Sequence, residues 1–152
     1  MPEFVKPEFS ELSYVKKLLE NKNTMDWLGQ TIPFPREEWQ SFYEKYVEAD
    51  PKDRYFRLIW CPGCGDYVGM ISYFHCQKTG NHEMALLIDS ARRMCGYGRS
   101  GLRELKKAAR STGISTLHAR VPKTDTAWDF LERYDFEREG EDEKFYFELC
   151  RL

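Results

Sequence analysis

The chain has no long apolar run, no excess of either charge and no even set of cysteines. None of its hydrophobic stretches approaches the ~20 residues that cross a bilayer as a helix. Met1-Pro2-Glu3-Phe4 lacks the charged head and apolar stretch of an export signal. Its 23 basic and 25 acidic residues leave a net charge of -2, so it carries no basic footprint for nucleic acid. The five cysteines are an odd number in a chain without an export signal, which argues for reduced thiols over a disulfide framework. Internal repeats and low-complexity segments are also missing. The expectation is a cytoplasmic protein with no nucleic-acid partner and no membrane contact.

The sequence does have ample material for a core. It is 152 residues long, 41% hydrophobic and 15% aromatic. A chain of that size buries roughly 70% of its unfolded surface, enough for one domain over residues 1–152 without staples.

Periodicity divides the chain into alternating elements. Phe4-Val5-Lys6 reads as a short strand. Ser10 is the expected N-cap of a helix from Glu11 to Glu20, with Leu12, Val15, Leu18 and Leu19 on one face. Residues Asn21 to Pro35 read as a loop, and Arg36 to Val47 as a helix with Trp39, Phe42, Tyr43 and Tyr46 aligned. Tyr55–Cys61 and Tyr67–Cys76 form a hairpin around Pro62-Gly63-Cys64-Gly65-Asp66, and His82–Asp89 a third strand. A helix follows from Gly96 to Thr112, with Leu102, Leu105 and Ala109 inward and Gly113 closing it. Then come a strand Ser115–Val121, a helix Thr124–Tyr134 and a hairpin of Phe136–Glu139 with Lys144–Cys150. The order β α α β β β α β α β β contains a β-α-β unit from His82 to Val121. Its two strands should be parallel inside a mixed sheet, with ligand chemistry at Asp89 to Arg99.

That stretch holds Arg93-Met94-Cys95-Gly96-Tyr97-Gly98. Glycine lets a backbone approach an anion and adopt otherwise strained angles. The first N–H groups of the following helix have no internal partner and suit a phosphate. Arg92, Arg93 and Arg99 flank the turn and can pair with one.

The segment Ile88 to Gly98 resembles the acetyl-CoA motif of GNAT-type N-acetyltransferases, Arg/Gln-x-x-Gly-x-Gly/Ala. A second block, Thr124 to Phe136, is similar to that family's Asn-x-x-Ala-x-x-Phe-Tyr-x-x-x-Gly-Phe. The resemblance implies an α/β (mixed α+β) GNAT-like fold. Its central mixed sheet has about seven strands, flanked by about four helices and splayed at the acetyl-CoA site. It implies pantetheine pairing with the strand at Leu86, Leu87 and Ile88. The pyrophosphate would lie on Arg93, Met94, Cys95, Gly96, Tyr97, Gly98 and Arg99, with Thr124 and Ala127 also near the cofactor. The implied co-substrate is acetyl-CoA, with no metal expected, and the partner an amine acceptor. Four positions depart from the pattern. Met94 stands at a common glycine, Thr124 at the asparagine, Leu131 at the tyrosine that often protonates the departing thiolate, and Asp135 at the glycine before Phe136.

In such a reaction a neutral amine attacks the thioester directly. A lysine amine near pKa 10.4 must first lose a proton at a cost of roughly 4 kcal/mol at neutral pH. The family often places its base at the start of the strand before the cofactor turn, here His82 and Glu83. Strand alternation sends these two to opposite faces, so at most one of them is expected to serve as the base. A non-catalytic acyl-CoA-binding module is the alternative, motivated by Leu131. Cys61-Pro62-Gly63-Cys64-Gly65 has the spacing of a zinc knuckle, but no second Cys-x-x-Cys completes four ligands. The loop Met25–Pro35 is expected over the acceptor site. The helix Arg36–Val47 is placed equally to line the acceptor cleft or a subunit interface, so a homodimer is a further expectation.

Overall fold

Alternating apolar side chains along seven strands build one mixed sheet, in the order β1-β2-β3-β4-β5-β7-β6, in a computed structural model that describes residues 1–152. The strands are β1 (Glu3–Val5), β2 (Arg54–Cys61), β3 (Asp66–His75), β4 (His82–Ile88), β5 (Thr116–Pro122), β6 (Glu137–Glu141) and β7 (Phe145–Arg151). Four α-helices flank it: α1 (Leu12–Leu19), α2 (Trp39–Phe42), α3 (Tyr97–Ser111) and α4 (Ala127–Arg133). The mixed α/β class, the element order and the parallel β-α-β unit are all as the sequence predicts.

Both faces of the sheet are covered. On one face Leu102, Leu105 and Ala109 of α3 and Leu131 of α4 pack with Ile71, Leu117, Ala119, Val121 and Phe136. On the other, Leu12, Val15, Phe34 and Trp39 pack with Phe56 and Leu58, while Leu18 and Met25 cover Leu87. Helix α3 lies unusually close to the sheet at Gly101. A Cβ there would stand 2.8 Å from Leu86 Cδ1 and 3.0 Å from Ile71 Cγ2.

Three local expectations change. Ser10 does not cap α1; a 3₁₀ turn Phe9–Glu11 precedes it, and the Glu11 carboxylate accepts from the Glu8 N–H at 2.9 Å. The stretch Arg36 to Val47 is not one helix but a 3₁₀ turn, a single α turn and a π turn Tyr43–Val47. Its Trp39, Phe42 and Val47 reach the sheet through that unwinding. Helix α4 starts only at Ala127, because the Asp125 carboxylate takes the Ala127 N–H at 2.6 Å.

The one parallel contact, β4 with β5, consists of a single register pair, Glu83 with His118. Every other neighbouring pair has three or more. From that pair the strands run on toward their carboxyl ends without pairing to each other, and this unpaired span is the wedge between β4 and β5.

Glu148 on β7 is only 1% exposed. One carboxylate oxygen accepts from Arg138 Nε at 3.3 Å, and Oε1 has no partner. Burial first, then the nearby Glu132, pushes its pKa up from 4.5 to about 7. The folded protein therefore holds this proton more tightly than the unfolded chain, so stability should fall as pH rises from about 4.5 to about 7. Glu148→Gln mimics the neutral acid and is expected to remove that slope. Urea midpoints of both proteins at pH 5 and pH 8 check it; parallel losses would show that Glu148 is not the group responsible.

Candidate active site

Between β4 and α3 the chain makes a tight passage. Asp89 accepts the Ala91 N–H at 3.0 Å and sets up a 3₁₀ turn, Ser90–Arg92. Arg93 is extended, Met94 takes φ 66°, Gly96 takes φ 84°, and α3 begins at Tyr97. The first helical bond runs from the Ser100 N–H to the Gly96 carbonyl at 3.1 Å. No carbonyl or side chain accepts from the N–H groups of Cys95, Gly96, Tyr97, Gly98 and Arg99. Those amides stand at the positive end of a 15-residue helix, where an anion gains most.

The three arginines are used differently from one another. Arg93 donates to the Thr24 carbonyl at 2.7 Å and pairs with Asp26 at 3.1 Å, so its guanidinium clamps the Met25–Pro35 loop to the turn. Thr24 Oγ1 also accepts from the Ser90 N–H at 3.2 Å. Arg92 lies 3.6 Å from Asp66. Arg99 lines a cavity of about 220 Å³ with Arg103, Lys106, Arg110 and Tyr134. The sequence suggested all three for phosphate; only Arg99 has no acidic partner.

At the closed end of the wedge, Glu83 and His118 are register partners on adjacent strands, about 4.8 Å apart, so their side chains share a face. That face is the one on which Leu87, four residues along β4 from Glu83, meets Leu18 and Met25. His118 Nδ1 lies 2.9 Å from Glu139 Oε2, which fixes its ring. His82 turns to the other face. Its ring lies against Tyr73 and His75, with Nε2 3.0 Å from the Lys52 carbonyl. His118 is not among the residues the sequence predicts for the site, although its signal is local: inward Leu117, Ala119 and Val121 leave His118 on the opposite face.

The sequence pattern of the acetyltransferase (GNAT) family matches residues 17–136. The chain belongs to that family. By family it is an acetyl-CoA-dependent N-acetyltransferase. Solved structures share the fold. One is PaiA N-acetyltransferase from Thermoplasma acidophilum in complex with coenzyme A, with TM-score 0.75 and 16% identity over 100% of this chain and 99% of that one. Another is spermidine N-acetyltransferase from Vibrio cholerae in complex with CoA and spermine, with TM-score 0.79 and 14% identity over 99% and 95%. N-acetyltransferase from Staphylococcus aureus Mu50 gives TM-score 0.77 and 14% identity over 100% and 98%. No curated protein sequence matches the chain.

Within the GNAT frame, two departures from the family pattern become intelligible. Met94 and Asp135 stand where the family has glycine, and they are the two non-glycine residues with positive φ, 66° and 73°. Their backbones keep the glycine conformation at a cost in strain. Met94 is fully exposed, so its side chain repays none of it. Met94→Gly should relieve about 1–2 kcal/mol of left-handed strain while adding about 0.4–1 kcal/mol of unfolded-state entropy. The expected result is a modest gain in thermal midpoint; a loss would show that the Met94 side chain is doing more than its exposure suggests. Leu131, at the place of the family tyrosine, is buried against the sheet and has no hydroxyl to offer. Tyr97, a nearby hydroxyl, points to Cys61. Thr124 and Ala127 are exposed at the head of α4. Phe130 of that helix reaches within 3.5 Å of where a Cβ on Gly98 would stand, so α4 borders the turn.

Proposed function

We propose that this domain, residues 1–152, moves an acetyl group from acetyl-CoA to an amine of a small metabolite, peptide or protein. The observation that carries the reading is the conjunction of two features. A turn leaves five amide N–H groups without acceptors, and a wedge between β4 and β5 begins beside it. The pyrophosphate is held by amides of Arg93 to Arg99, beside Thr124 and Ala127. The pantetheine runs into the wedge along Leu86, Leu87 and Ile88, whose edge toward β5 has no strand partner. Five residues separate Ile88 from Glu83, a depth of about 17 Å at 3.3 Å per residue. The thioester comes to rest near the closed end.

The acceptor enters on the face of Glu83, under the Met25–Pro35 loop that Arg93 ties down. Glu83 takes the proton as the amine attacks. His118, oriented by Glu139, stands beside it and can return a proton to the departing thiolate, the task that Leu131 cannot perform. His82, the other base expected from the sequence, is bound to Lys52 on the opposite face. The five cysteines are free thiols, in keeping with a cytoplasmic setting. A homodimer would form on a surface other than that of Trp39, Phe42 and Tyr43, which are packed into the core on the Phe56 and Leu58 face of the sheet.

Calorimetric titration with acetyl-CoA, followed by free-thiol release with a panel of amines, tests the reading. Binding with amine-dependent release is expected. Tight binding with no release from any amine would favour an acyl-CoA-binding regulatory module, the reading that buried Leu131 supports. No binding would overturn both.

A further inference from the structure

The β2–β3 hairpin carries Cys61-Pro62-Gly63-Cys64 at its tip. The N–H groups of Cys64 and Gly65 both donate to the Cys61 carbonyl, at 3.2 and 2.8 Å, and Gly65 takes φ 67°. This fold of the turn brings the two sulfurs to 2.8 Å, sharing a proton, against about 2.05 Å in a disulfide. The Cys64 N–H also donates to Cys61 Sγ at 3.2 Å. A third group joins from far along the chain. The Tyr97 hydroxyl donates to Cys61 Sγ at 3.0 Å and lies 3.6 Å from Cys64 Sγ. Tyr97 is the first residue of α3, directly after Gly96.

We propose that Cys61 and Cys64 are a redox-active dithiol that closes reversibly against small disulfides, and that closure loosens the hairpin's hold on the first residue of α3. Hydrogen bonds from Cys64 and then Tyr97 bring the Cys61 thiol down to about 7, which favours a thiolate in the pair at neutral pH. By contrast burial pushes the Cys150 thiol up. No third cysteine, histidine or carboxylate gathers with the pair as a metal cluster. Cys64 is exposed and Cys61 is not, so an incoming disulfide meets Cys64 first.

The exchange balances as two displacements. The Cys61 thiolate takes up the proton it shares with Cys64, so that Cys64 attacks one sulfur of R–S–S–R as the thiolate, forming a mixed disulfide and expelling RS⁻, which recovers that proton from Cys61. Cys61 thiolate then attacks the Cys64 sulfur, forming the intramolecular disulfide and expelling the second RS⁻. The two thiol protons leave with these groups, so two thiols and one disulfide become one protein disulfide and two RSH. In the product Cys61 is no longer a thiolate, and the Tyr97 hydroxyl loses its charged acceptor. The consequence for the cofactor turn rests on the proposed acetyl-CoA site; the disulfide itself does not.

The test equilibrates the full chain with mixtures of reduced and oxidised glutathione, then alkylates it and maps the cysteines by peptide mass spectrometry. A Cys61–Cys64 disulfide should accumulate and reverse with dithiothreitol, while Cys150 stays reduced. Cys64→Ser should prevent closure. The proposal is overturned if both thiols stay reduced, if only glutathione adducts accumulate without closure, or if one equivalent of zinc binds and shields both from alkylation. Acetyl-CoA should then bind the oxidised protein about 2- to 10-fold more weakly than the reduced one, the scale of one lost hydrogen bond. That difference should vanish in Cys64→Ser. Equal affinity in the two redox states would overturn the coupling to α3. Failure of the reduced protein to bind acetyl-CoA would instead count against the proposed function, leaving the disulfide result intact.

Discussion

Glu83→Gln is expected to lower kcat by about 10²- to 10⁴-fold, the usual scale of general-base catalysis, with acetyl-CoA affinity nearly unchanged. The amide keeps the shape and polarity of the side chain but cannot take a proton from the attacking amine. The cofactor should not notice, because the turn proposed for its anionic end lies five or more residues away, after β4. The defect should also depend on the acceptor. A lysine-type amine needs its proton removed at a greater cost than an α-amine, so the ratio of the two rates should fall in the variant. His118→Ala offers a second probe of the same floor. If Glu83 and His118 act on one proton path, the double variant should lose little more than the worse single one. His82→Ala, on the other face beside Lys52, should lose far less. Steady-state kinetics with titrated acetyl-CoA reads all of this. Full turnover in Glu83→Gln together with a collapse in His82→Ala would move the base to the α3 face.

What the sequence reveals here divides by distance along the chain. Elements whose reasons are local are legible: the spacing of Leu102, Leu105 and Ala109 yields α3, and Pro62 to Asp66 yields the hairpin. The turn at Gly96 is legible too, since its chemistry lies in adjacent amides. What escapes depends on register or on partners far apart. His118 becomes notable only when β5 is set beside β4 so that it meets Glu83, 35 positions earlier in the numbering. The Arg93 clamp joins residues 67 and 69 apart, and a guanidinium that looks ready for phosphate in sequence is already committed. Tyr97 reaches the cysteine pair over 36 residues. The split of the segment Arg36 to Val47 has a different cause. Its aromatic spacing fits a straight helix, but reaching Phe56 and Leu58 takes a wider last turn.

The second large effect is expected at the turn itself, in Gly96→Asp. Gly96 sits at φ 84° and ψ 3°, where an L side chain costs about 1–2 kcal/mol. The free variant can escape that cost by letting the turn relax, but binding must restore the shape, so the cost appears as lost affinity. A carboxylate beside a pyrophosphate adds at least about 1 kcal/mol of repulsion. Together these predict acetyl-CoA binding about 30- to 150-fold weaker, with the fold intact by circular dichroism. Gly96→Asn separates the two causes. Asparagine is the same size as aspartate and meets the same left-handed backbone cost but is uncharged, so it should lose several-fold less. Added salt should narrow the gap between the two variants, because screening acts on the charge and not on the backbone. Equal losses in both would assign the effect to shape alone. Unchanged affinity in Gly96→Asp would mean that the unaccepted amides from Cys95 to Arg99 do not hold the cofactor's pyrophosphate, and the wedge would need another anchor for its ligand.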